Sequence, residues 1–179
     1  MTYKKRLNLG CGNDIREGWV NADLFELPGV DTVMDIEDVP WPFDGGLFGL
    51  VEAKDILEHV DHLVPVMEEL HRILAPGGEA RITVPHFSSR GAHLDPTHRR
   101  AFSVESFRYF AAGHQRSYYS AARFEIGREF ISFDKSLWLP WNFILERLVN
   151  LGSRWRRLYE MTPLSVFRAL NVEVTLIKR

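Results

Sequence analysis

The feature that most limits how this chain can fold is a glycine turn that directly follows a short strand pattern near the start of the sequence. Residues 6–9 alternate between polar and apolar side chains, as a strand does, and Gly10 and Gly12 end the pattern. Glycine allows backbone N–H groups to approach a ligand without interference from a Cβ atom. Because open α/β sheets bind ligands beyond the carboxyl ends of their strands, this turn predicts a ligand site.

Strand patterns recur along the chain, and helical patterns lie between them. The longest helical pattern covers residues 56–74, and we expect Pro65 to divide it into a short first helix and a longer second one. Residues 47–52 are apolar enough to predict a central strand that is buried on both faces. The predicted strands are residues 6–9, 19–23, 30–35, 47–52, 80–84, 124–133 and 172–178. This order predicts an α/β fold with a mostly parallel sheet.

The connections in the first part of the sheet are unusually short. Only six residues separate Gly12 from Trp19, and six separate Asp23 from Val30. A parallel crossover that contains a helix needs at least about 10–12 residues. We therefore expect the first two crossover helices to be shortened or absent. The sheet face at that edge then needs cover, either from the apolar segment 137–151 or from a second copy of the chain in a homodimer.

The composition limits the class of protein. A chain of 179 residues supports one core, so we expect a single domain over residues 1–179. The net charge is −2 and the basic residues are spread along the chain, which argues against double-stranded nucleic acid as a partner. The only cysteine, Cys11, excludes an internal disulfide and favours a cytoplasmic protein.

Residues 134–170 lie between the last two predicted strands, as an insertion or a lid. Their apolar part, 137–151, is interrupted by Pro140 and by charged side chains and is too short to span a membrane. With the basic residues of 154–157 it suggests a lid over an apolar substrate or a peripheral contact with a membrane surface. Simple packing over the sheet is the alternative.

Two aspartates follow predicted strands on the same side as the glycine turn. Asp23 ends the second strand, where a carboxylate can accept both hydroxyls of a ribose, and Asp35 ends the third. The alternative is that both are solvated strand ends. A nicotinamide site is disfavoured, because Ile15 stands where a third glycine is needed and Asp23 follows Gly10 by only 13 positions.

Six segments, in this order, resemble the Rossmann-like, class I S-adenosylmethionine-dependent methyltransferases, and in particular their small type 11-like members. The segments are 7–12, 18–23, 35–36, 56–60, 74–78 and 95–98. The resemblance implies a Rossmann-like, mostly parallel seven-stranded sheet and S-adenosylmethionine as cofactor. One departure is Asn8, which stands where many members have an acidic residue.

The resemblance also implies which residues bind the cofactor. The glycine turn would line its methionine part, Asp23 with Leu24 would hold the ribose, and Asp35 with Ile36 would flank the adenine. Two residues after the fourth strand would lie near the methionine and the sulfonium. The full set is Gly10, Cys11, Gly12, Asp23, Leu24, Asp35, Ile36, Ala53 and Lys54. For Cys11, the alternative is a small side chain that merely fills the loop.

Titratable side chains are concentrated near the ends of the fourth and fifth strands. Asp55, Glu58 and His59 share one helix face by their spacing, His86 follows the fifth strand, and His98 lies on the next loop. Methyl transfer is an in-line displacement, in which the protein aligns acceptor and donor and, where needed, removes a proton. The catalytic candidates are Asp55, His59, His86 and His98.

Three interpretations of this concentration stay open. An imidazole can act as a general base near neutral pH. Alternatively, Asp55, Glu58, His59 and His98 bind a divalent cation, an arrangement similar to that of certain small-RNA and quinone-precursor methyltransferases. In the third interpretation, Glu58 and His59 only fix the helix against the loop.

The leading hypothesis is methyl transfer from S-adenosylmethionine to a small-molecule, glycan or lipid-linked acceptor. Methylation of nucleic-acid bases is disfavoured, because the segment Glu52–Asp55 replaces the Asn/Asp-Pro-Pro-aromatic motif of that reaction. A second hypothesis is a non-catalytic, methyltransferase-like binding subunit of a partner enzyme. A nucleotide-dependent oxidoreductase is the third, and the glycine spacing disfavours it.

Overall fold

The computed structural model describes residues 4–114, 117–136 and 139–179 and contains one seven-stranded sheet. The strand order is β3-β2-β1-β4-β5-β7-β6, and β7 alone runs antiparallel to its neighbours. The predicted α/β class with a mostly parallel seven-stranded sheet is confirmed. Leu137 and Trp138, the first two residues of the apolar segment 137–151, lie outside the described residues.

The strands are β1 (Lys5–Leu9), β2 (Val20–Asp23), β3 (Thr32–Val33), β4 (Phe48–Lys54), β5 (Leu74–Pro85), β6 (Phe124–Ile131) and β7 (Asn171–Lys178). The α-helices are α1 (Leu63–Ile73), α2 (Gly91–Leu94), α3 (Asn142–Val149) and α4 (Ser153–Met161). Four 3-10 turns cover Leu57–His59, Ser106–Phe110, Ser117–Tyr119 and Pro163–Val166. Within the described residues, no helix has both the length and the apolar character of a transmembrane span.

The short N-terminal connections are confirmed as connections without a helix. Within the described range 4–114, turns alone join β1 to β2 and β2 to β3. The loop before β4 is likewise irregular, and it places the buried side chain of Trp41 against the core. The backbone N–H of Trp41 donates to Glu69 Oε1 on α1 at 2.7 Å, and the indole Nε1–H donates to the Ile36 carbonyl at 2.9 Å. One tryptophan thus covers core surface that a crossover helix does not.

The helical pattern of residues 56–74 is interrupted, but not at Pro65. The interruption lies at residues 60–62, between the 3-10 turn and α1. Pro65 occupies the first turn of α1, where the missing backbone N–H removes no hydrogen bond within the helix. The predicted position of the break is therefore wrong by a few residues.

The two faces of the sheet differ in cover. One face, called the covered face, carries a buried row across four neighbouring strands: Leu9, Ala53, Ile82 and Val174. The other, called the open face, carries the adjacent row, which is polar: Asn8, Glu52, Arg81, Thr175 and Arg128. Strand β4 is therefore not buried on both faces, which corrects the prediction for residues 47–52. Its apolar pattern was misleading because the register shifts between Phe48 and Leu50, so that Phe48 and Val51, three positions apart, are both buried.

The segment between β6 and β7 contains α3 and α4 and is attached to the end of β6. The Asn150 side chain accepts from the Ile131 N–H at 2.9 Å and donates to the Ile131 carbonyl at 2.7 Å, and Glu146 accepts from the Phe133 N–H at 3.0 Å. Since β6 is at the opposite edge of the sheet from β3, residues 139–151 do not cover the N-terminal edge. That prediction is wrong, whereas cover by a second copy of the chain stays a prediction.

Candidate active site

A cavity opens where the carboxyl ends of β1, β2 and β3 meet the 3-10 turn that follows β4. Five of the predicted cofactor residues line it: Gly10, Asp23, Leu24, Asp35 and Ile36. His59, one of the predicted catalytic residues, also lines it. The structure therefore brings the glycine turn, both strand-end aspartates and one imidazole to the same cavity.

The glycine turn is held against β2 by hydrogen bonds. The N–H groups of Gly10 and Cys11 both donate to the Ala22 carbonyl, at 2.9 and 3.1 Å. Gly10 has a φ of 67°, and a Cβ atom there would lie 2.7 Å from Cγ1 of Ile56. Position 10 therefore requires glycine both for its backbone conformation and for its close approach to Ile56.

The carboxylate of Asp23 is oriented by two backbone groups. Its Oδ2 accepts from the Gly12 N–H at 2.7 Å, and its Oδ1 accepts from the Phe25 N–H at 3.1 Å. A carboxylate offers about four lone-pair positions, so each oxygen retains the capacity to accept from a ligand hydroxyl. Asp35 is oriented in the same manner, by the Glu37 N–H at 2.8 Å. The cavity thus fits a ligand that carries a pair of hydroxyl groups, such as a ribose.

Four other predicted cofactor residues do not line the cavity. Cys11 is buried, and burial raises the pKa of its thiol, as expected for an inert loop residue. Gly12 contributes the N–H that binds Asp23. Ala53 is buried on the covered face, and Lys54 lines a polar groove on the open face beside Glu52 and Arg81.

Glu58, His59 and His98 form a compact cluster at the margin of the cavity. One carboxylate oxygen and one nitrogen from each imidazole lie within 4.8 Å of one another. The His59 and His98 rings meet edge to face with centroids 4.7 Å apart, and His98 Nε2 lies 3.9 Å from Glu58 Oε1. The loop that carries His98 is held there because the Arg99 N–H donates to the Glu58 carbonyl at 2.8 Å.

The Glu58 carboxylate is buried and lies near the negative charges of two other carboxylates, those of Asp55 and Asp95. Only 1% of the residue is exposed, and neither oxygen has a hydrogen-bond partner among the described residues. Burial, offset in part by the backbone N–H of Glu58 itself and reinforced by the charges of Asp55 and Asp95, raises the pKa of Glu58 to about 7. Asp55 itself is exposed, with a φ of 51° that is uncommon for a residue other than glycine.

His86 lies apart from this cavity. It is fully buried, and the Ser88 N–H donates to its Nδ1 at 3.1 Å, so Nε2 is the nitrogen that donates to Glu160 Oε1 at 3.1 Å. The same Glu160 oxygen accepts from the Val104 N–H at 2.7 Å. These contacts fasten α4 to the end of β5, and a catalytic role for His86 stays a prediction.

Sequence reasoning missed several residues of the site. Met34, Ile56 and Val60 line the cavity, and Glu37 lines it while accepting from the His62 N–H at the start of α1. Thr97 lies within segment 95–98, which carries the family resemblance, yet its hydroxyl contact with His59 Nδ1 at 2.9 Å joins residues 38 positions apart. The position of Thr97 next to His98 was the only available signal.

Comparison with known proteins identifies a domain family for part of the chain and a shared fold. A family model described as a methyltransferase domain matches residues 9–82. No curated protein sequence matches the chain. Three solved structures share the fold. A S-adenosylmethionine-dependent methyltransferase from Archaeoglobus fulgidus has a TM-score of 0.66 and 14% identity, covering 98% of this chain and 86% of that chain.

The other two are a S-adenosylmethionine-dependent methyltransferase from Mesorhizobium loti and a geranyl diphosphate methyltransferase in complex with S-adenosylmethionine. The first has a TM-score of 0.53 and 13% identity, covering 97% of this chain and 90% of that chain. The second has a TM-score of 0.58 and 14% identity, covering 98% of this chain and 78% of that chain. The strand order and the position of the cavity define a Rossmann-like α/β domain. Residues 9–82 match a methyltransferase domain, and the chain shares the fold of S-adenosylmethionine-dependent methyltransferases.

Proposed function

We propose that this enzyme transfers a methyl group to a small-molecule, glycan or lipid-linked acceptor, with S-adenosylmethionine bound in the cavity at the ends of β1, β2 and β3. The observation that carries the proposal is the meeting of Gly10, Asp23 and Asp35 with His59 around one cavity. Bound there, S-adenosylmethionine supplies an electrophilic methyl group. The chain itself supplies a ribose acceptor in Asp23 and an imidazole at the cavity margin.

The acceptor reaches the site from the side of the loop that carries His98. His59 lines the cavity and His98 lies against it, so an imidazole can take a proton from an acceptor hydroxyl or amine. The net charge of −2 favours an acceptor other than nucleic acid.

The proposal is tested first by ligand-dependent thermal stability. Saturation to about 100 times Kd stabilises a protein by roughly 2.7 kcal/mol, so S-adenosylmethionine and S-adenosylhomocysteine should raise the melting temperature and NAD should not. Asp23→Ala should weaken this shift, because the ribose loses its acceptor. Asp44→Ala removes an exposed carboxylate outside the cavity and should leave the shift unchanged.

Three results would each contradict a part of the proposal. If neither S-adenosylmethionine nor S-adenosylhomocysteine shifts the melting temperature, S-adenosylmethionine is excluded as the cofactor. An equal shift of the melting temperature in the wild type and in Asp23→Ala would show that the ligand binds outside the cavity. Ligand binding by the wild type together with no loss of methyl transfer in His59→Ala would exclude this imidazole as the proton acceptor.

A further inference from the structure

The Glu58 carboxylate is an unusual group for this fold to bury. It lies at 1% exposure, and no donor among the described residues reaches either oxygen. Burial of a carboxylate without hydrogen bonds is costly, and such groups are normally paired or bound to a metal ion. One nitrogen from each of the imidazoles of His59 and His98 lies within 4.8 Å of a Glu58 carboxylate oxygen. A ligand that satisfies all three side chains would account for their placement.

In the neutral form of both imidazoles, the hydrogen bonds made by Nδ1 leave Nε2 unprotonated. Nδ1 of His98 contacts the Ala92 carbonyl at 3.3 Å, which can only accept, so His98 carries its proton on Nδ1. Its Nε2 therefore presents a lone pair, 3.9 Å from Glu58 Oε1. This assignment follows from the hydrogen-bond partners of the ring.

The same logic applies to His59 through a short relay. The Thr97 hydroxyl donates to Asp95 Oδ1 at 2.6 Å and therefore accepts from His59 Nδ1 at 2.9 Å. Two hydrogen bonds from Thr97 lower the pKa of Asp95, which keeps this end of the relay ionised. Histidines that bind metals show this pattern, in which the second nitrogen donates to a carbonyl or to a group held by a carboxylate.

We propose that Glu58, His59 and His98 bind a divalent transition-metal ion at the margin of the cavity. Metal bonds of about 2.0–2.2 Å place pairs of ligand atoms roughly 3–4 Å apart, so a cluster spanning 4.8 Å closes on an ion with a small side-chain movement. Two imidazoles with one carboxylate suit Zn²⁺, Fe²⁺ or Mn²⁺ better than Mg²⁺, which prefers oxygen ligands. Asp55, the fourth residue considered from the sequence, is outside this cluster.

The ion would act on the reaction through the coordination positions that the protein does not fill. Three protein ligands leave at least one coordination position for water or for an acceptor oxygen. With both Nε2 lone pairs on the ion, neither imidazole can take the acceptor's proton; the cation instead lowers the pKa of the acceptor group and holds that group in place. Since His59 also lines the cavity, the ion would act on the acceptor while Asp23, at the end of β2, holds the cofactor.

The test uses the full chain, freed of metal by a chelator and titrated calorimetrically with Zn²⁺, Co²⁺ and Mg²⁺. We expect saturable binding of about one Zn²⁺ or Co²⁺ per chain, with visible absorption for Co²⁺, and no comparable binding of Mg²⁺. Glu58→Gln and His98→Ala should each weaken Zn²⁺ binding at least tenfold. His62→Ala removes an exposed histidine three positions after His59 and serves as the matched control.

Thr97→Val separates metal binding from a loss of folding. Thr97 is exposed, so its replacement leaves the core intact, but it removes the acceptor that orients His59 and should weaken Zn²⁺ binding about 10–100-fold. The proposal fails if the wild type binds no Zn²⁺ saturably, or if Glu58→Gln, His98→Ala and Thr97→Val all bind it like the wild type. Because these titrations contain no S-adenosylmethionine, such a failure leaves the proposed methyl transfer intact.

Discussion

The covered and open faces of the sheet differ in how far their side chains are exposed, although both faces are formed by the same strands. On β5, Ile82 is 1% exposed, whereas the side chain of its neighbour Arg81 is 53% exposed. Parallel sheets are normally covered by helices on both faces, and here the connections that would carry helices over the open face are turns. The chain therefore has an open face with a row of polar side chains, whereas its covered face is apolar and buried.

Replacement of two tryptophans, one on each face, should give the largest difference in the free energy of unfolding. Trp41 is buried against the covered face, whereas Trp19 lies under the guanidinium groups of Arg6 and Arg16, 4.9 and 5.1 Å from its ring centre. Trp41→Ala should lower the free energy of unfolding by about 3–5 kcal/mol, because it removes a large core side chain. Trp19→Ala should cost about 1 kcal/mol, the contribution of exposed cation–π contacts.

Urea denaturation of both variants measures this difference. Similar losses of unfolding free energy in Trp41→Ala and Trp19→Ala would show that the two faces contribute equally. That result would also indicate that a second copy of the chain covers the open face, as the short connections suggest.

A pair of neighbours on β5 sharpens the comparison at smaller scale. Ile82→Ala should cost about 3 kcal/mol through lost burial and the cavity left behind. Thr83→Ala changes the next residue, which points to the open face, and should stay within about 0.5 kcal/mol. Chemical denaturation at several protein concentrations checks both values, and a large effect of Thr83→Ala would contradict an uncovered open face.

The sequence predicted the parts of this structure that depend on local spacing. The six-residue gaps after Gly12 and Asp23 excluded crossover helices, and the strand ends at Gly10, Asp23 and Asp35 meet at one cavity. The sequence did not predict the open face. Residues 47–51 are mostly apolar, and the register shift within β4 becomes visible only in the pairing of the strands. Local patterns report which residues are apolar, but not which face of the sheet is covered.

For the cluster of Glu58, His59 and His98, the sequence indicated which residues could act together but not how they are arranged in space. Glu58 and His98 are 40 positions apart, and they meet because the Arg99 backbone and the Arg100 side chain bind the carbonyls of residues 58–61. No spacing rule predicts such a docked loop. The segment 95–98 was recognised only through its resemblance to a family.

A buried acid on the covered face provides the last and smallest test. Glu129 is the register partner of Val174, its side chain is 5% exposed, and it is bound by Arg108 at 2.5 Å and Arg156 at 3.1 Å. Burial alone would raise the pKa of Glu129, but the two guanidinium groups outweigh burial and lower it. Glu129→Gln keeps the shape but leaves both cations underpaired, so it should cost about 2 kcal/mol near neutral pH.

The pH dependence of this pair has a definite sign. Because the pKa of Glu129 is lower in the folded than in the unfolded chain, the unfolded chain binds the proton first. Its stabilisation is therefore complete above the unfolded value and is lost as the pH falls through the folded value. The deficit of Glu129→Gln relative to the wild type should shrink as the pH falls below about 4.3, the ordinary pKa of a glutamate. Glu125→Gln, at an exposed position of the same strand, should show no such convergence, and a constant deficit for Glu129→Gln would mean that the carboxylate charge contributes nothing to the covered face.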